Sequence, residues 1–280
     1  MDKDKDNVRI GIFDSGIGGI TVLKEILDLI PCADMIYLGD SARLPYGTKS
    51  SKTIIRYSLQ CADFLMSKGI DMLVVACNTA SSHALPFLKE AFHIPIIGVV
   101  ESGSQAAIDA GGRRIGVIGT PSTIKSGSYD KALHALKPDV QVFSKACPLF
   151  VPLVEEGWCE DSITEQVARR YLDDILQSEV DTLLLGCTHY PLLKGIIAKV
   201  MGSGVRIIDS ARSTAHVVSG LIGENSSRKH DQSIDYFLSD LSPVFIRLGE
   251  LFLGKRMEHV YEVDLCYNDS NINSECGNAV

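Results

Sequence analysis

The 280-residue chain contains no run approaching the roughly 18 consecutive apolar residues of a membrane-spanning helix. It has no cluster of basic residues either. Its 27 Lys and Arg are outnumbered by 35 Asp and Glu, and the net charge of -8 argues against nucleic acid or an anionic membrane as partner. The opening MDKDKDNVRI alternates acid and base and lacks the apolar region of a signal peptide, so a cytoplasmic location is expected. The eight cysteines, Cys32, Cys61, Cys77, Cys147, Cys159, Cys187, Cys266 and Cys276, include no close pair and no metal-like spacing. In a reducing compartment most of them are expected to be free thiols. Cys32, Cys61, Cys147 and Cys159 read as small buried hydrophobes.

What remains is a repeated strand–helix alternation. RIGIFDSG, DMIYLGD, DMLVVAC and IPIIGVV read as strands in the first half, with helical patterns between them. RRIGVIG, VQVFSKACP, DTLLLGC and VRIIDS do the same in the second. Strands that are continuous apolar runs imply parallel sheets covered on both faces, an α/β class. The halves are a repeat. RIGIFDS and RIGVIGT are offset by 105 residues, DMLVVAC and DTLLLGC by 110, and PIIG and RIID by 111. The expected architecture is therefore two similar doubly wound domains related by a pseudo-twofold axis, with a cleft between them. Residues 211 to about 225 look helical, and about 244 to 262 carry mixed signals. The polar tail after residue 265 is expected to be disordered, which leaves Cys276 without chemistry.

Ligands of parallel α/β sheets bind beyond the carboxyl ends of the strands. Those ends carry Asp14, Ser15 and Gly16; Gly39, Asp40 and Ser41; Cys77, Asn78 and Thr79; Gly119 and Thr120; and Cys187, Thr188 and His189. Cys77 and Cys187 each follow an apolar strand and precede polar residues, so a cleft between matching halves carries one thiol on each wall. Two acid/base groups on opposite sides of a carbon suit racemisation or epimerisation. A free thiol, with a pKa near 8.5, is a usable base. The glycines of DSGIGGIT match neither a dinucleotide fingerprint nor a P-loop; their amides at a helix start suit a carboxylate. Ser15, Thr79 and Thr188 add hydroxyls, and LPYGTKS is a loop able to cover the cleft. A capture protein without catalysis would not need the thiols.

The motifs FDSGIGGITV, GDSARLPYG, ACNTAS, GTPSTIKSGSY, CPLFVPLVEEG, DTLLLGCTHYPLL and IIDSA, in order from about residue 9 to 215, resemble those of glutamate racemase within the cofactor-independent aspartate/glutamate racemase superfamily. The resemblance implies interconversion of L- and D-glutamate without pyridoxal phosphate or metal, supplying peptidoglycan synthesis. It implies Cys77 and Cys187 as the two bases, Asp14 assisting Cys77 and His189 assisting Cys187. A further assisting carboxylate is carried to Glu155, with Glu156 adjacent. Asp14, Ser15, Tyr46, Gly47, Asn78, Thr79, Thr188 and His189 match substrate-binding positions. The implied domains are 1–100 plus 215–265, and 101–214, with 266–280 as the tail. Homodimers are common in that family, and no feature of this sequence fixes an interface. A racemase of aspartate or a related amino acid is the alternative. Ser102 stands where the family pattern has proline.

Overall fold

The computed structural model describes residues 8–31, 33–222 and 233–265. Cys32, Cys266, Cys276 and the tail lie outside the described residues. In chain order the first elements are β1 (Arg9–Asp14), α1 (Ile20–Leu29), β2 (Asp34–Gly39), α2 (Ser51–Ser67), β3 (Met72–Val75), α3 (Asn78–Ala91), β4 (Ile96–Gly98) and α4 (Val99–Asp109). They are followed by β5 (Arg114–Gly119), α5 (Pro121–Ser126), α6 (Ser128–Leu136), β6 (Gln141–Ala146), α7 (Phe150–Glu155), α8 (Ser162–Gln177), β7 (Thr182–Gly186), α9 (Lys194–Met201), β8 (Arg206–Asp209) and α10 (Ser210–Ile222). The chain closes with β9 (Ile234–Leu238), α11 (Pro243–Leu253) and β10 (Val260–Glu262).

The strands form two parallel sheets, ordered β10-β9-β2-β1-β3-β4 and β6-β5-β7-β8. The inner order of the first, β2-β1-β3-β4, is repeated by the second, strand for strand. This is the repeat seen in the sequence offsets. Strand direction explains the apolar runs: β3 and β7 are buried along their whole length, between neighbours on both sides and helices on both faces. In each sheet the chain winds one way from the first strand to its partner and the other way to the third. The crevice at that reversal is where parallel sheets bind ligands. It falls between the ends of β1 and β3 in one sheet, and of β5 and β7 in the other.

Three local readings change. The strand expected over IPIIGVV stops at Gly98, and Val99 begins α4. Ser102 lies in the first turns of that helix, buried, and donates to the Gly98 carbonyl at 3.2 Å. The mixed signals near the end resolve into α11 followed by β10, and β9 adds to the edge of the first sheet beside β2. Cys61 and Cys147 are buried as expected, whereas Cys159 is only half-buried because it sits in the turn before α8.

Candidate active site

Asp14 ends β1, and its carboxylate collects the amides of the glycine turn. Gly16 N–H donates to Oδ2 at 2.9 Å, and the amides of Gly19 and Ser15 also face it. This corrects the expectation that these amides hold a ligand carboxylate: the anion of the turn is Asp14 itself. The glycines are dictated by close approach. A Cβ on Gly19 would lie 2.5 Å from the Asp14 Cβ. One on Gly18 would lie 2.2 Å from Thr188 Oγ1 and 2.6 Å from the His189 ring. The turn is thus the point where the first sheet's strand ends touch those of the second. Thr21 Oγ1 adds a bond across the junction to the Thr188 carbonyl at 3.0 Å.

Cys77 follows β3 and caps α3. Its sulfur accepts from Ala80 N–H at 3.4 Å and its thiol donates to Ser15 Oγ at 3.3 Å. Burial, and then the neighbouring Asp14 charge, push the Cys77 thiol up to about 12 against these hydrogen bonds. Burial also raises the Asp14 carboxyl, with His189 opposing as the nearest positive charge. Both groups on this wall therefore hold their protons more tightly than in water.

The other wall is built differently. Cys187 follows β7, with His189 Nδ1 4.0 Å from its sulfur and Thr188 Oγ1 3.5 Å from the same nitrogen. On the far side of the ring, Nε2 lies 3.3 Å from Glu155 Oε1 at the end of α7. That contact is an ion pair without the alignment of a hydrogen bond. Burial works to lower the His189 pKa, but Cys187 and Glu155 outweigh it and raise the ring to about 10. Phe252 of α11 packs edge-on against the imidazole, with centroids 6.0 Å apart. Of the two adjacent acids it is Glu155 that meets His189; Glu156 is exposed.

The remaining expected residues converge on the same place. Asn78 and Thr79 open α3 and are buried. Tyr46 is buried, and its hydroxyl is bonded to Asp40 Oδ2. Gly47 brings its loop against Thr120, which a Cβ would approach to 3.0 Å. Thr120, expected at a strand end, and two residues outside the expected set, Thr123 and Tyr129, complete the junction. Thr79 Oγ1 bonds Thr120 Oγ1 at 3.0 Å and Thr123 Oγ1 at 3.2 Å, and Tyr129 donates to Asn78 Oδ1 at 2.5 Å. All three come from the GTPSTIKSGSY motif, whose hydroxyl density was the available signal.

Buried polar atoms are normally paired. Among the described residues, five buried side-chain atoms have no hydrogen-bond partner, and three of them, Asp14 Oδ1, Asn78 Nδ2 and His189 Nε2, belong to this site. No group of three or more His, Cys, Asp or Glu side chains converges on a metal-sized position among the described residues. The chemistry on offer is a thiol at a strand end of each lobe, one beside a carboxyl and one beside an imidazolium, with hydroxyl and amide groups nearby.

Two parallel lobes, each with a thiol at a strand end, have the layout expected of an amino-acid racemase. The model of the Asp/Glu/hydantoin racemase family matches residues 21–218, and the chain belongs to that family. Its relatives include glutamate racemases from Geobacter metallireducens, 50% identical over 91% of this chain and 96% of that protein, and Persephonella marina, 51% identical over 92% and 98%. Among solved structures, the glutamate racemase of Francisella tularensis in complex with D-glutamate superposes with a TM-score of 0.87 at 38% identity, covering 93% of this chain and 98% of that one.

Proposed function

We propose that the chain interconverts L- and D-glutamate by passing the α-proton between Cys77 and Cys187. The chain acts as a cofactor-independent amino-acid racemase, an isomerase that supplies D-glutamate for peptidoglycan synthesis. One sulfur, as thiolate, takes the α-proton from one face of the substrate and becomes a thiol. The opposite thiol delivers its proton to the other face and becomes the thiolate. The direction of reaction sets which thiol does which. Asp14 serves Cys77, and His189, oriented by Glu155, serves Cys187. Asp14, Ser15, Tyr46, Gly47, Asn78, Thr79, Thr188 and His189 form the substrate site. Donors among them stabilise the charge that develops as the α-carbon loses its proton.

The observation that carries this reading is the pairing of each thiol with its own acid/base neighbour at the touching strand ends. Two of the unpaired polar atoms supply an acceptor suited to an amino-acid ammonium, Asp14 Oδ1, and a donor suited to a carboxylate, Asn78 Nδ2, while His189 Nε2 is engaged by Glu155. We extend the reading to the lobes, taken as 1–100 plus 215–265 and 101–214, to a cytoplasmic location, and to a homodimer. No described helix is long and apolar enough to cross a membrane. The test is Cys77→Ser and Cys187→Ser. Each loses inversion in both directions while still binding glutamate by calorimetry, since a hydroxyl is a far weaker acid and base. Near-normal inversion by either variant would contradict the two-thiol mechanism. Dialysis against a chelator leaves wild-type turnover unchanged.

A further inference from the structure

We propose that Tyr129 is a positioning residue that orients the Asn78 amide across the lobe junction, so that Nδ2 rather than Oδ1 faces the substrate. The inference rests on the glutamate reading above and deepens it. Asn78 belongs to α3 and the first sheet; Tyr129 belongs to α6 and the second. The Tyr129 hydroxyl donates to Asn78 Oδ1 at 2.5 Å and so occupies the carbonyl end of the amide. The other end, Nδ2, is then fixed in direction, and it is buried without a partner. Asn78 is the residue after Cys77, so this donor sits beside the thiol.

The tyrosine is itself held. It is 2% exposed. A Cβ on Gly186, the residue before Cys187, would lie 2.9 Å from the ring, and one on Gly103 in α4 would lie 3.7 Å away. The ring is therefore seated against the strand that carries Cys187, while its hydroxyl reaches the helix that Cys77 caps. Ser128 beside it donates to Ser82 at 2.7 Å. Ser82 lies one helical turn beyond Asn78, so α6 meets two consecutive positions of one face of α3. The substrate donor on the first lobe is thus oriented by a group on the second.

The experiment is a double-mutant cycle with Tyr129→Phe and Asn78→Ala, read as KM and kcat for glutamate in both directions. Loss of one buried hydrogen bond gives about a tenfold rise in KM for Tyr129→Phe, with kcat changed less. In that background Asn78→Ala adds little, because the amide has already lost its orientation. Ser128→Ala is the control: it removes a neighbouring junction bond without touching Asn78 and leaves KM unchanged. Additive costs in the cycle, an unchanged KM in Tyr129→Phe, or an equal rise in Ser128→Ala would overturn the assignment. Calorimetric glutamate binding by the wild type separates the two levels. A wild type that neither binds nor inverts glutamate refutes the functional reading and this inference with it. A wild type that does both, with an additive cycle, refutes the role of Tyr129 alone.

Discussion

Replacing Gly18 with alanine adds one methyl group at the point where the two lobes touch. Its Cβ would stand 2.2 Å from Thr188 Oγ1 and 2.6 Å from His189 Nδ1, where ordinary contact begins near 3.4 Å. Something must retreat by about 1 Å. The glycine turn cannot, because Gly19 is already pressed against Asp14 with no room for a Cβ. The Thr188–His189 segment therefore moves, and it carries the partner of Cys187. Overpacking of this kind costs about 1–3 kcal/mol, or roughly 2–4 °C in Tm for each kcal/mol in a chain of this size. A misplacement of about 1 Å in a reacting constellation costs about 100-fold in rate. The variant is thus expected to melt a few degrees early and to lose about two orders of magnitude in kcat, measured by circular dichroism from either enantiomer. Gly195→Ala is the control, since a Cβ there meets nothing within 4 Å. Wild-type kcat and Tm in Gly18→Ala would refute the contact geometry and the dependence of catalysis on it.

Other outcomes follow from the unequal walls. His189 binds its proton more tightly folded, at about 10, than unfolded near 6.5, so its stabilisation is complete below about 6.5 and is lost as pH rises to about 10. Thermal melts between those limits should fall more steeply in the wild type than in His189→Asn. Glu155→Gln removes one cause of that raised pKa, so the alkaline limit of activity moves down, while Glu156→Gln is silent in the same pH profile. Asp14 has its carboxyl raised by burial, which means its charge destabilises the fold at neutral pH. Asp14→Asn should therefore hold or raise Tm while kcat falls at least about tenfold, as for loss of an acid/base group.

The sequence displayed the sheets because buried parallel strands have an unmistakable apolar pattern, and the duplicated offsets displayed the second lobe. It displayed Cys77 and Cys187 because each sits at the polar end of such a strand. It hid α4, whose VVESGSQAAID mixes β-branched residues, glycine and serines that tertiary packing overrides. It hid β9, which becomes a strand only by pairing with β2 across about 200 residues of chain. The purpose of the glycine turn was also hidden. Gly18 and Gly19 answer to His189, Thr188 and Asp14, and only folding brings the first two to the turn. Tyr129 stood inside a quoted motif, but its partner Asn78 lies 51 residues away.

On the two-thiol reading, the α-proton of glutamate passes to groups of the chain that exchange with solvent. The most direct measurement mixes purified protein with D-glutamate, and separately L-glutamate, in D₂O without added cofactor. Optical activity is followed by circular dichroism and the α-position by NMR. Decay of both signals to zero, with deuterium at the α-carbon of the inverted product, is the predicted result. Persistent optical activity, or inversion without deuterium, would contradict the account.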